Sequence, residues 1–315
     1  LVEAGPRRLV HRVFGTLNRK GAGLLAIPTL PAPVAYRWVA AWGEQMCADA
    51  AIAFAGQPPT DLSLATGEDA GDWAQRLGGV TLGAGHVRLP AATRIDALEG
   101  YADGRWWVQD IAASLPARVT GNGAGEALDL CAAPGGKTMQ LASAGWAVTA
   151  VDSSASRLAR LRDNLARTAL KAETITADLL KWQPDRRFDA VLLDAPCSAP
   201  GIFRRHPDVL HRVRARDIES LAATQARLLE RAADWVKPGG RLVYAVCSLE
   251  PAEAEAQAAR LLSSRPGLVA GPVTAAELPA GLKPDDAGQI RTLPGMLRNE
   301  GGLDGFFVAR FRRVG

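Results

Sequence analysis

Cysteine is scarce in this sequence: four residues in 315, Cys47, Cys131, Cys197 and Cys247, each far from the others. There is no C-x-x-C pair, so the usual ligand spacing for zinc is absent and no metal is expected. A chain of this size with no signal-peptide pattern after Leu1 does not rest on a disulfide framework. Both absences predict a reducing, cytoplasmic setting. No apolar run reaches the ~18–20 residues a membrane span needs, which excludes a membrane partner of that kind. No internal repeat or low-complexity segment stands out. The opening residue is Leu rather than Met, and the beginning reads as the middle of a longer protein. What is present is ordinary globular composition, 48% hydrophobic and 22% charged, enough for one large domain and a smaller one. A monomer is the default expectation.

The net charge is +4, mildly basic, and its distribution is uneven. Residues 1–20 carry five Lys or Arg against one acid, and residues 204–216, RRHPDVLHRVRAR, carry five Arg and two His against one Asp. Taken alone, such runs are solvated faces.

The chain divides into three stretches. Residues 1–56 read as helical segments interrupted at AIPTLPAPV, the second with apolar residues at helical spacing and a Gly stop. Residues 57–120 read as a small α/β subdomain, with short strands in TDLSLA, GGVTLGAGHVRLP and GRWWVQD and a helix in PAATRIDALEGY. Residues 121–315 alternate strand, loop and helix, as in EALDLC, AVTAVD, ETITA, FDAVLLD and RLVYAVC, which predicts a parallel, doubly wound α/β sheet. GFFVARFRR is expected as a last strand, antiparallel at the edge.

In such sheets ligands bind beyond the carboxyl ends of the strands. Cys131, Asp152, Asp178, Asp194 and Cys247 all fall at those ends or just past them. Three readings compete for LDLCAAPGGKT, residues 128–138. A phosphate-binding P-loop would need Gly where Cys131 stands, and Pro134 removes a backbone donor. A dinucleotide fingerprint would need its glycines after the strand, whereas Gly121, Gly123 and Gly125 precede it and read as a linker. The third reading is S-adenosylmethionine. Pro134, Gly135 and Gly136 let the backbone approach a ligand, and Asp152 follows Gly136 by sixteen residues, near the offset at which an acid meets ribose hydroxyls. Asp178 is placed for the adenine amino group and Asp194 for the methionine ammonium. Any one Asp at a strand end is more often a cap, but three in succession favour a ligand.

These motifs, LDLCAAPGGKT, VDSSASRL, TADLLKW, LLDAPCSAPGIFRRHPD and LVYAVCSLEPAEAE, resemble in order those of the RNA 5-methylcytosine methyltransferases of the Sun and NSUN type, the family of the bacterial RsmB enzymes. LEGYADGRWWVQD and GGLDGFFVARFRR resemble it too, so the likeness spans about residues 60–315. It implies a Rossmann-like class I methyltransferase domain that holds S-adenosylmethionine on Cys131, Ala132, Ala133, Pro134, Gly135, Gly136, Lys137, Asp152, Arg157, Asp178 and Asp194. It implies Cys247 as the nucleophile and Cys197 as the residue that assists product release. It implies ribosomal RNA, of the small subunit first, as the substrate, with transfer RNA and large-subunit RNA open. The N-terminal helices resemble the tail of a NusB-like RNA-binding domain.

The chemistry accounts for two strands ending in Cys-Ser. Carbon 5 of cytosine is a poor nucleophile until a thiolate adds to carbon 6. A base then removes the carbon 5 proton and the thiolate leaves, while Asp194 is placed to stabilise charge on the ring. Cys131 contributes backbone, and Cys47 is a buried small residue. The target base must leave its stack, and Arg204, Arg205 and His206 are then expected to contact RNA. Trp106 and Trp107 read as core. Three departures stand out from the family pattern: Ala199-Pro200 for Gly-Thr, Val246 for Thr, and PAEAE for PEENE. They leave open an RNA-binding assembly factor that keeps the pocket without turnover; an NTPase is the remaining alternative.

Overall fold

The computed structural model describes residues 4–20, 26–83 and 85–315. Helix α1 spans Ala4–Arg19 and helix α2 spans Ala32–Ala55. Pro33 in the first turn of α2 suits a helix start, and Gly56 stops it. Gly43, at φ 83, interrupts α2 midway. Trp38, Met46 and Ala50 of α2 are buried against Phe203, Leu210 and Leu249.

Strands β1 (Thr60–Leu64), β2 (Val80–Thr81), β3 (His86–Leu89) and β4 (Trp106–Val108) form an antiparallel sheet in the order β2-β3-β1-β4. Helix α3 (Ala70–Leu77) covers it, capped by Asp69, which accepts from Asp72 N at 2.8 Å. Leu62, Val87, Leu89, Trp73 and Trp106 fill the space between. The helix expected over residues 90–101 is not formed. Only a 3-10 turn, Ile95–Ala97, is present, because Ala92 (φ 58) and Gly100 (φ 79) reverse the backbone on either side. Helix α4 (Ile111–Thr120), capped by Asp110, packs its apolar residues against the large sheet, and Ile111 N donates to Asp61 Oδ2 of β1 at 3.1 Å.

The large sheet contains β5 (Glu126–Leu130), β6 (Ala147–Asp152), β7 (Ala172–Thr176), β8 (Phe188–Asp194), β9 (Val236–Val246), β10 (Leu268–Ala270), β11 (Ile290–Thr292) and β12 (Phe306–Arg313). Its order is β10-β12-β9-β8-β5-β6-β7, with β11 also on β12. The five strands β7, β6, β5, β8 and β9 are parallel, and β12 runs antiparallel to β9. The last strand is therefore antiparallel as expected but not at the edge: β10 and β11 line its far side.

Helices α5 (Gly136–Ser143), α6 (Ala155–Thr168), the short α7 (Val209–Arg212), α8 (Ala215–Asp234) and α9 (Glu255–Ser264) complete the described elements. Burial on both faces of the sheet follows the two-residue period of a strand. Leu128, Leu130, Val191, Leu193, Leu242 and Tyr244 face α8 and α9. Ala127, Ala190, Leu192, Val243 and Ala245 face α4. On α6, Leu158, Leu161 and Leu165 bury one stripe against Trp107 and Met139. Among the described residues no helix is long and apolar enough to cross a membrane, and no group of three or more His, Cys, Asp or Glu is arranged to hold a metal.

Candidate active site

The carboxyl ends of β5, β6, β8 and β9 converge on one cleft of about 330 Å³, whose walls include Cys131, Asp152, Asp178, Asp194, Cys197 and Cys247. The chain leaves β5 through Cys131 in the left-handed region (φ 60) and enters α5 through Gly135 (φ 111). A left-handed Gly at that position opens α5 without the steric penalty a side chain would bring.

Asp152 closes β6. Its Oδ2 accepts from Ala133 N at 3.2 Å, and its Oδ1 accepts from Ser154 N at 2.9 Å. Arg157 lies 3.4 Å from Asp152 and also donates to the Ala133 carbonyl, so the turn after β5 and the end of β6 are held as one unit. Asp178 is half exposed past β7 and accepts from Leu180 N at 3.0 Å. Leu179, Pro196 and Leu228 supply apolar wall to the same cleft.

Asp194 closes β8 and pairs with Lys137 Nζ at 2.7 Å. Burial works against the charge on Lys137, but Asp194 more than offsets it, and the ammonium is held above its ordinary pKa. Asp194 and Cys131 also border a second, larger cavity of about 600 Å³, with Asp129 and Lys137 beside them. Asp129 was not singled out from the sequence, since a strand-interior acid carries no distinctive spacing. It is fully buried, and burial pushes its carboxyl up to about 7 even though Thr138 Oγ1 donates to Oδ2 at 2.6 Å. Its Oδ1 has no donor within hydrogen-bond reach among the described residues.

Cys197 Sγ and Cys247 Sγ lie 3.4 Å apart. Cys197 packs against the core on the α8 side of the sheet and Cys247 against the core on the α4 side, so the thiols meet end-on from opposite faces. The hydrogen bond with Cys247, then burial, hold the Cys197 thiol well above its ordinary pKa, and the charges of Glu253 and Asp194 add to this. Burial likewise raises Cys131, so its sulfur is a poor thiolate. Cys47 lies apart from the cleft, in the core formed by α2.

The turn after Cys197 is stitched to the neighbouring strands. Gly201 N donates to Cys247 O at 3.1 Å, and Gly305 N donates to Gly201 O at 2.8 Å. A Cβ on Gly201 would run into the Gly305 and Cys247 carbonyls, so only Gly fits. Pro200 begins a 3-10 turn, where its missing N–H is of no consequence. Val246 is fully buried among apolar side chains.

The arginine run divides. Arg204 is buried; its guanidinium stands 3.4 Å from Asp304 and 3.9 Å from Asp110 and donates to Gly301 O at 3.0 Å. A phosphate contact by Arg204 is therefore not possible in this conformation, because the pairing it makes holds it inside. Arg205 pairs with Asp110 at 2.8 Å and Asp304 at 3.2 Å but borders the larger cavity, as does the exposed His206. Trp106 is buried in the small-sheet core. Trp107 is buried too, donates to Gln109 Oε1 at 2.8 Å and forms part of the larger cavity wall.

Comparison with known proteins gives the family. Residues 121–312 match the family described as 16S rRNA methyltransferase RsmB/F. Ribosomal RNA small subunit methyltransferase B of Klebsiella pneumoniae is 44% identical over 230 residues, 71% of this chain and 50% of that protein. Its counterpart in Salmonella arizonae is 43% identical, over 71% of this chain and 51% of its own. The chain thus spans about half the length of the curated relatives it matches. A methyltransferase homologue from Pyrococcus horikoshii has a TM-score of 0.73 at 26% identity, covering 90% of this chain and 95% of its own. NSun6 of the same organism, solved with SFG, has a TM-score of 0.61 at 26% identity over 73% and 59%. With the family matched from the linker before β5 into β12, the chain belongs to the 16S rRNA methyltransferase RsmB/F family.

Proposed function

We propose that this chain is the catalytic part of an S-adenosylmethionine-dependent RNA cytosine-5 methyltransferase that acts on small-subunit ribosomal RNA through a covalent bond between Cys247 and the target cytosine. The observation that carries the reading is the pair of thiols 3.4 Å apart in the same cleft as Asp194, whose partner is Lys137. The names of the relatives support the substrate, and the ligand of the archaeal NSun6 structure supports the cofactor class.

The cleft fits the cofactor. Asp152 and Asp178 offer acceptors to ribose and adenine, and Leu179, Pro196 and Leu228 offer apolar contact. When bound, S-adenosylmethionine supplies an electrophilic methyl group on sulfonium sulfur. Lys137, held positive by Asp194, is a cation that interacts electrostatically with Cys247. The Cys247 thiolate adds to carbon 6, and electron density builds at carbon 5 and on the ring. Asp194 accepts from the exocyclic amino N–H and orients the ring, with the Lys137 ammonium beside it to offset that charge. Cys197, held as a thiol in the resting site, stands within contact of the Cys247 sulfur to assist its expulsion once the carbon 5 proton is lost.

The larger cavity, walled by Trp107, Arg205 and His206, receives the nucleotides that flank the target base in an unpaired segment of RNA, and the base itself reaches Cys247 in the cleft, which meets that cavity at Cys131 and Asp194. The test is trapping on RNA. Cys197→Ser accumulates a denaturant-stable RNA–protein adduct, and Cys247→Ser forms none. An adduct that persists in Cys247→Ser, or none in Cys197→Ser when the wild type methylates, rejects the assignment.

A further inference from the structure

Glu253 is fully buried, in the 3-10 turn Pro251–Glu253 that follows β9. Its carboxylate accepts from Ser198 N at 2.8 Å, from Ser198 Oγ at 2.5 Å, from Ser248 Oγ at 2.5 Å and from Gln225 Nε2 at 3.3 Å. All four donors are neutral. Gln225 is itself fully buried and also donates to Pro196 O at 2.9 Å, while the Glu253 carbonyl accepts from the Tyr244 hydroxyl.

A carboxylate taken out of water without a cationic partner carries a desolvation cost that only close, charge-assisted hydrogen bonds offset. Three of the four donors belong to Ser198 and Ser248, the residues that directly follow Cys197 and Cys247. The two Cys-Ser turns come from strands β8 and β9, and each thiol packs against a different face of the sheet. Both turns end on one carboxylate.

We propose that Glu253 is a positioning residue for the two thiols: by gathering Ser198 and Ser248 onto one carboxylate it sets the approach of Cys197 to Cys247 that release of the methylated base requires. The part that concerns release rests on the reaction proposed above; the geometric part does not. The charge of Glu253 also favours the thiol form of Cys197.

The test is the equilibrium between the Cys197–Cys247 dithiol and its disulfide in glutathione redox buffers, read by mass spectrometry on the full chain. The two thiols pass two electrons and two protons to glutathione disulfide, giving the protein disulfide and two glutathione thiols. In Glu253→Gln the equilibrium shifts at least tenfold toward the dithiol, about 30 mV in potential, with S-adenosylmethionine affinity within twofold of wild type. Single-turnover methylation by the same variant loses more in adduct release than in adduct formation. An unchanged potential with unchanged cofactor affinity overturns the proposal. If Glu253→Gln does not fold, Ser198→Ala, Ser248→Ala and their double variant replace it. Their shifts are less than additive if both act through one carboxylate, and additive shifts overturn the clamp. The redox measurement needs no RNA, so a shifted potential in a protein whose wild type transfers no methyl upholds the clamp and rejects the reaction.

Discussion

Ala199 holds the left-handed conformation, φ 58, two residues past Cys197. A left-handed Ala costs about 1–2 kcal/mol, partly offset by the lower entropy of the unfolded chain. Ala199→Gly is therefore expected to stabilise the protein by about 0.5–1 kcal/mol, read as a higher denaturant midpoint at unchanged slope. Asp129 gives a pH dependence of definite sign. Its folded pKa, about 7, lies above the unfolded value of about 3.9. The stability tied to its protonated form is complete below about pH 4 and is lost as the pH rises through 7. Comparison of Asp129→Asn with wild type across pH 4–8 isolates this contribution: the wild type loses stability relative to the variant as pH rises. The Cys-Ser repetition was legible as chemistry because the residues were adjacent in sequence. Glu253 was not, because PAEAE offers two acids of like appearance, and only the fold buries Glu253 while leaving Glu255 paired with Arg291.

At the scale of elements, strands β5, β8 and β9 were readable because burial on both faces demands continuous apolar runs, and α6 because three leucines recur at helical spacing. The three-residue β10 and β11 were not, since three residues carry too little alternation. The helix expected over 90–101 contains Ile95, Leu98 and Tyr101. These do pack against the small-sheet core, but through turns set by Ala92 and Gly100, so the right residues were buried by the wrong backbone. Helix α2 was readable as a helix, and its partner was not. Trp38 Nε1 donates to Glu250 at 3.2 Å, Trp42 Nε1 donates to Leu249 O at 2.8 Å, and Arg37 pairs with Glu250 at 3.0 Å. The helix therefore braces the segment that follows Cys247-Ser248. Truncation of the fully buried Trp38 to Ala is expected to cost about 3–5 kcal/mol, measured by chemical denaturation.

For the whole molecule, a buried network of opposite charges joins the small sheet to the large one. Arg88 pairs with Asp61 at 2.6 Å and donates to Glu300 O at 2.6 Å. Arg205 spans Asp110 and Asp304 and donates to Pro59 O at 3.2 Å, and Arg204 sits between the same two acids. Removal of one partner leaves a buried charge uncompensated. Arg204→Ala is expected to lower stability by about 3–5 kcal/mol, measured by chemical denaturation. In the remaining folded protein, the salt dependence of RNA affinity stays at its wild-type slope, because Arg204 touches no phosphate. The sequence showed five arginines in thirteen residues but not which of them face inward. That depended on acids 94 to 100 residues away in either direction, the separations from Arg204 to Asp110 and Asp304.

Labelled methyl transfer from S-adenosylmethionine to unmodified small-subunit ribosomal RNA, with nucleoside analysis of the product, tests the central claim most directly. The chain is assayed as wild type, Cys247→Ala and Cys197→Ala. Label in 5-methylcytosine with wild type, and none with Cys247→Ala, is the predicted result. Equal label with Cys247→Ala, or label on a base other than cytosine, would contradict it.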